Sequence, residues 1–101
     1  IDRVYINPIR TFYVPNAFTP DKDRINDGFR AYGEGYDWST YEMIIYNRWG
    51  QEIFRTNIIE EVWNGTFKNE KVENDIYSWR VHISDFNGRT YPFRGFVSLI
   101  R

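Results

Sequence analysis

Apolar and polar residues alternate with a period of two along most of this chain, the pattern of strands that bury one face. It is clearest over residues 76–84, where Tyr77, Trp79, Val81 and Ile83 share one face and Ser78, Arg80 and His82 share the other. Over residues 41–46 the same alternation sets Tyr41, Met43 and Ile45 against Glu42, Ile44 and Tyr46. A second run, 51–55, follows Asn47-Arg48-Trp49-Gly50 at hairpin distance, with Gly50 available for positive φ. Upstream, residues 10–14 are β-rich and end at Pro15, and residues 29–32 resume after a polar loop. Asn64-Gly65 and Lys68-Asn69-Glu70-Lys71 predict tight turns. Asp85-Phe86-Asn87-Gly88 closes a last hairpin, whose return strand is expected to be bulged or bent near Pro92 and Gly95.

About seven short strands at this spacing, with no helical segment long enough to cover a sheet, predict an all-β fold. Two antiparallel sheets packed face to face as an immunoglobulin-like sandwich fit best. A chain of 101 residues is expected to form one domain, residues 1–101, burying roughly two-thirds of the surface its unfolded chain exposes. The 8 Tyr, 8 Phe and 4 Trp fill that core, since each buried ring removes roughly 150–250 Å² from water. With no cysteine, disulfides, thiolate zinc sites and a cysteine nucleophile are excluded. The 13 basic and 14 acidic residues are interspersed, so the chain carries no electrostatic footprint for nucleic acid or an anionic membrane. Its longest apolar runs, such as Met43-Ile44-Ile45, are far too short for a transmembrane segment. Any N-terminal export address is expected to lie outside this sequence.

Catalytic chemistry is thin, and no enzyme is expected. His82 falls on the polar face of its strand, which favours a solvated histidine over a general base. Glu60 and Glu61 are adjacent in a turn-like segment, with no apolar pocket to separate their pKa values for glycoside hydrolysis. The better ligand chemistry lies in Asp21, Asp23, Asn26 and Asp27, four oxygen donors within seven residues that make a candidate structural calcium site. Like charges about 4 Å apart repel by roughly 1 kcal/mol even in water, so three aspartates in one loop ask for a cation or for splaying. Lys22 and Arg24 supply part of that compensation, and ordinary Asx-turn chemistry is the competing reading. An EF-hand is excluded, because the sixth position from Asp21 is Asn26 and the twelfth is Tyr32. Trp38, Trp49, Trp63 and Tyr36 offer a sugar-stacking platform, so a carbohydrate-binding or adhesive module is the alternative function, and a structural spacer the third.

Val14-Pro15-Asn16-Ala17-Phe18-Thr19-Pro20, then Asp23 and Ile25-Asn26-Asp27, come first in a longer series. Ile45-Tyr46-Asn47-Arg48-Trp49-Gly50, Trp63-Asn64-Gly65-Thr66 and Gly95-Phe96-Val97-Ser98-Leu99-Ile100-Arg101 follow in order over nearly the whole chain. Together these segments resemble the gliding motility-associated C-terminal domain family. The resemblance implies a type B sorting domain of the type IX secretion system, a non-catalytic sandwich at the extreme C-terminus of a larger exported protein. Such a domain follows its covalently attached N-terminal passenger into the periplasm. It then directs it through the outer-membrane translocon and its targeting components to the cell surface or medium. An ending at Leu99-Ile100-Arg101 fits that C-terminal position. Candidate recognition residues are the turn Arg48, Trp49 and Gly50 and the tip Leu99, Ile100 and Arg101. The plainer reading has Trp49 covering the end of the sandwich and Arg48 paired with a carboxylate. Where the family carries a glycine before its aromatic strand, this chain has Asp75, preceded by Asn74, residues that tolerate a left-handed backbone less well than glycine but better than most.

Overall fold

A computed structural model describes residues 10–20 and 28–101, and its regular elements there are all strands. In chain order they are β1 (Thr11–Tyr13), β2 (Ala17–Phe18), β3 (Tyr32–Glu34), β4 (Asp37–Tyr46), β5 (Glu52–Thr56), β6 (Thr66–Phe67), β7 (Glu70–Lys71), β8 (Asp75–Ser84) and β9 (Thr90–Leu99). Nine described strands exceed the predicted seven because ladders such as β6–β7 are only two residues long, too short for an alternating pattern to reveal. The fold is all-β and sandwich-like, as expected.

One sheet is continuous, with strand order β2-β9-β8-β4-β5. β8 and β9 pair antiparallel over ten residues, from Asp75 opposite Leu99 to Ser84 opposite Thr90. The bulge expected near Pro92 and Gly95 is absent, and the register runs through both. The amides of Ser98 and Ile100 donate away from β8, to the carbonyls of Asn16 and Phe18. Counting back in twos, the nitrogen of Pro92 also faces outward, where the ladder with β8 needs no hydrogen from it. Gly95 lies under the Trp79 indole, and a Cβ there would come within 2.8 Å of the ring. The irregularities fall instead on β4, whose register shifts against β5 at Ile45/Tyr46, leaving Ile53 without a partner, and against β8 between Asp37 and Glu42.

The second layer is built from three short pieces laid on the inner face of this sheet. They are the antiparallel pair β1–β3, the hairpin β6–β7, and a bridge in which Phe29 and Trp63 exchange amide bonds of 2.8 and 2.9 Å. The chain crosses from this layer into the main sheet at residues 14–16, and Pro15 suits the crossing because it has no N–H to leave unpaired. β2 then runs parallel to β9, with Phe18 opposite Leu99.

Aromatic rings hold the two layers together. Phe12 stacks on Phe93 with centroids 4.0 Å apart, and Trp63 contacts Phe18 at 5.4 Å and Tyr77 at 5.1 Å. Each such pair adds about 0.5–1.5 kcal/mol beyond the area it buries. The β8–β9 turn is held by Asp85, a buried carboxylate that accepts the amides of Asn87 and Arg89 and the Tyr91 hydroxyl, at 2.9, 3.0 and 2.9 Å. Burial pushes this carboxyl upward. The Arg89 amide, the Tyr91 hydroxyl, the Asn87 amide and the charge of Arg10 outweigh that and hold it below its ordinary value.

A carboxyl lowered in the folded state stabilises fully above its unfolded value, about 4, and loses its contribution as pH falls through the folded value. Asp85→Asn is therefore expected to lower the melting temperature at neutral pH, with the gap to the parent closing as pH drops below about 4. Thermal melts followed by circular dichroism across that range check it.

Candidate functional site

Two of the sequence motifs and the last residue converge where β4 turns into β5 and β8 begins. The Asn47 side chain organises the first motif. Its Oδ1 accepts the amides of Trp49 and Gln51, both at 3.0 Å, and its Nδ2 donates to Gln51 Oε1 at 3.0 Å. Gly50 completes the turn at φ +79°. From this fixed loop Arg48 reaches across to the start of β8, where Nε and Nη2 each meet a different Asp75 oxygen at 2.8 Å. This two-pronged pair holds the Asp75 carboxyl below its ordinary value, with help from the Ile76 amide, and raises Arg48 in turn. Arg48 thus pairs with a carboxylate, as the plainer reading expects.

The second motif packs beneath it. Trp63 is 1% exposed and donates from Nε1 to the Thr66 carbonyl at 2.9 Å, while Thr66 Oγ1 donates to Asn64 Oδ1 at 2.7 Å. Gly65 sits between them at φ +81°, and its carbonyl accepts both the Val72 amide at 2.9 Å and Arg101 Nη2 at 2.8 Å. Arg101 Nη1 donates to the Val72 carbonyl as well. Tyr77 lies between the two motifs, its ring against Trp63 and its hydroxyl donating to the Glu73 carbonyl at 2.7 Å. Burial, with Asp75 and Glu73, raises the Tyr77 phenol, and Arg101 and Arg48 oppose that from either side. A cleft of about 310 Å³ opens here, lined among others by Arg48, Trp49, Phe67, Lys71, Asp75 and Tyr77.

Several expectations about single residues are corrected by this geometry. Trp49 does not cover the end of the sandwich: it is 82% exposed, because the bonds of Asn47 hold the turn clear of the core. Leu99, expected at an exposed tip, is 1% exposed, because its place in β9 opposite Phe18 and Asp75 turns it inward. Arg101 is committed to two backbone carbonyls, and Ile100 is exposed. The left-handed backbone that Asp75 could tolerate is not called on, since Lys68 and Asn69 are the only described non-glycine residues with positive φ. The position uses its carboxylate instead. Of the four aromatics considered as a sugar platform, Trp63 and Tyr36 are buried, Trp38 packs edge-on against Tyr36 and Tyr41, and Trp49 alone is exposed.

Asp75, Tyr77 and Val72 were absent from the sequence-derived site. Asp75 and Val72 meet arginines 27 and 29 residues away, Tyr77 rests on Trp63 of another segment, and only the turn-like Asn74-Asp75 pair hinted at them. Asp21, Asp23, Asn26 and Asp27 lie outside the described residues. Among the described residues no group of three or more His, Cys, Asp or Glu gathers to hold a metal. His82 is exposed, as its face predicted.

The arrangement sets an exposed indole and an Arg–Asp pair side by side on a hydrogen-bonded turn. A family model, the CHU_C Type IX secretion signal domain, matches residues 12–99, from within β1 to the end of β9 and across both turns. No curated protein matches the chain.

The two turn glycines are expected to differ in their tolerance of alanine. A Cβ added at Gly50 would have nothing within 4 Å of it, so Gly50→Ala meets only the left-handed penalty of about 1–2 kcal/mol. A Cβ on Gly65 would stand 2.9 Å from both Arg101 Nη2 and Leu99 Cδ1, which adds about 1–3 kcal/mol of overpacking. Urea unfolding should rank Gly65→Ala clearly below Gly50→Ala.

Proposed function

The chain belongs to the type IX secretion signal domain family, and from that premise we propose that it is a non-catalytic C-terminal address. In this reading residues 1–101 act as one sorting domain, taking an attached N-terminal passenger from the periplasm through the type IX outer-membrane translocon to the cell surface or medium. The observation that carries the reading is the family match over residues 12–99. The geometry supports it. Trp49 is a large aromatic residue held out in water on a turn that Asn47 and the Arg48–Asp75 pair keep fixed. An exposed, preorganised aromatic next to charged groups is the composition of an interface hot spot.

Within the candidate residues the roles divide. Arg48, Trp49 and Gly50 form the surface offered to a translocon or targeting component, and Ile100 adds a second exposed apolar group. Leu99 and Arg101 act indirectly, by holding the C-terminal strand against the Gly65 turn. The carbohydrate-binding alternative keeps Trp49 as its platform, and binding on a glycan array that is lost in Trp49→Ala would favour it.

The direct test fuses a fluorescent passenger to residues 1–101 behind an N-terminal export signal. It is expressed in a bacterium with a working type IX system and in a translocon-deficient strain. Passenger should reach the surface or medium only in the competent strain, and Trp49→Ala should cut its export about tenfold or more while leaving the melting temperature unchanged. Passenger trapped in the periplasm of both strains overturns the sorting role.

A further inference from the structure

Among the described residues β9 is an edge for much of its length. The Ser98 and Ile100 amides, donating to Asn16 and Phe18 at 2.9 and 3.1 Å, show that even-numbered amides point away from β8. Among the described residues β2 pairs only with Ser98 and Leu99, so the amides of Arg94 and Phe96 face outward without a strand. Pro92, lacking an N–H, ends the open run. An unpaired edge of this kind is a template for one more strand.

The side chains beside this edge carry two further features. One row across the outer face reads Arg55, Ile44, Arg80, Arg94 in direct opposition. Arg55 is neutralised by Glu42 at 2.7 Å and Glu52 at 2.8 Å. Arg80 and Arg94 are both exposed, and the described carboxylates form ion pairs with neither; Arg80 rests 5.9 Å from the Tyr46 ring centroid. Like charges directly opposite destabilise a sheet. Next to Arg94 on the same face, Phe96 is 70% exposed and forms an apolar groove with Ile76, Ile100 and Ala17.

We propose that this edge docks an extended polypeptide segment by strand addition to β9. A carboxylate of the segment lies over Arg80 and Arg94, and an apolar side chain lies on Phe96 and Ile76. Arg94 and Phe96 are two residues apart on one face, so the docked strand has an acidic and an apolar residue in the same i, i+2 relation. Self-pairing through β9 is disfavoured, because a second copy would bring another Arg80–Arg94 pair against the first.

The test titrates ¹⁵N-labelled domain, residues 1–101, with two capped peptides that carry the i, i+2 pair on one face, Thr-Glu-Thr-Val-Thr and Thr-Lys-Thr-Val-Thr. The glutamate peptide should shift the Arg94 and Phe96 amides and slow their hydrogen exchange. The lysine peptide should bind about tenfold more weakly or worse, and Arg94→Glu or Arg80→Glu should reverse that preference. Absence of shifts at these two amides, equal binding of both peptides, or indifference to both charge reversals overturns the proposal. So does a concentration-dependent dimer that protects the same amides without peptide. The peptide titration needs no translocon, so the docking edge and the sorting role can fail separately.

Discussion

Burial of Tyr77, Trp79, Val81 and Ile83 on one face of β8 is the constraint on which the rest of the structure depends. Each sits opposite an inward position of β9, and Trp79 and Val81 sit opposite Ile45 and Met43 of β4. A slip of one residue would bring Arg80 and His82 into the core and put the aromatic row in water, so the register is strongly specified. Against this row the second layer can be assembled from fragments. Trp63 rests on Tyr77, and Phe12 rests on Phe93 with Trp79 nearby. The same register delivers Asp75 to the first position of β8, where it meets Arg48.

Two arginines near the beginning of β8 work in different ways. Arg101 donates to the carbonyls of Gly65 and Val72 and ties the last residue of the chain to the turn that covers Trp63. Arg48 bonds the carboxylate of Asp75 and fixes a turn whose neighbouring Trp49 contributes nothing to the core. Folding tends to bury a tryptophan, and here the turn chemistry of Asn47 and Gly50 keeps one in solvent. That separation of a holding residue from a displayed one suits the proposed address: hydrogen bonds fix the turn, and Trp49 is left free to meet a partner.

Strands β4 and β8 were legible in the sequence because one face of each is buried, which leaves a clean two-residue period. The glycines of the β4–β5, Trp63–Thr66 and Asp85–Arg89 turns were legible for an equally local reason, positive φ at Gly50, Gly65 and Gly88. What was not legible depends on distant partners. Pro92 and Gly95 look like strand breakers, yet Pro92 lies where β9 has an open edge and Gly95 makes room for Trp79. Trp49 reads either as displayed on its turn or as a cover over the end of the sandwich, and the bonds of Asn47 decide for display. Leu99 reads as a chain tip until its pairing with Phe18 turns it inward. Asp75 reads as a strained substitute for glycine, whereas 27 residues away in sequence Arg48 gives its carboxylate a use.

The central claim is that one end of a rigid sandwich, marked by Trp49, is what the secretion machinery reads. The most direct measurement places a photo-reactive phenylalanine analogue at Trp49 in an exported fusion. As a control, the analogue is placed at Phe86, which is also exposed but lies in the β8–β9 turn at the far end of β8. Irradiation during export should yield an adduct with an outer-membrane translocon or targeting component from position 49 and none from position 86. No adduct from position 49, or equal adducts from both, would contradict the account.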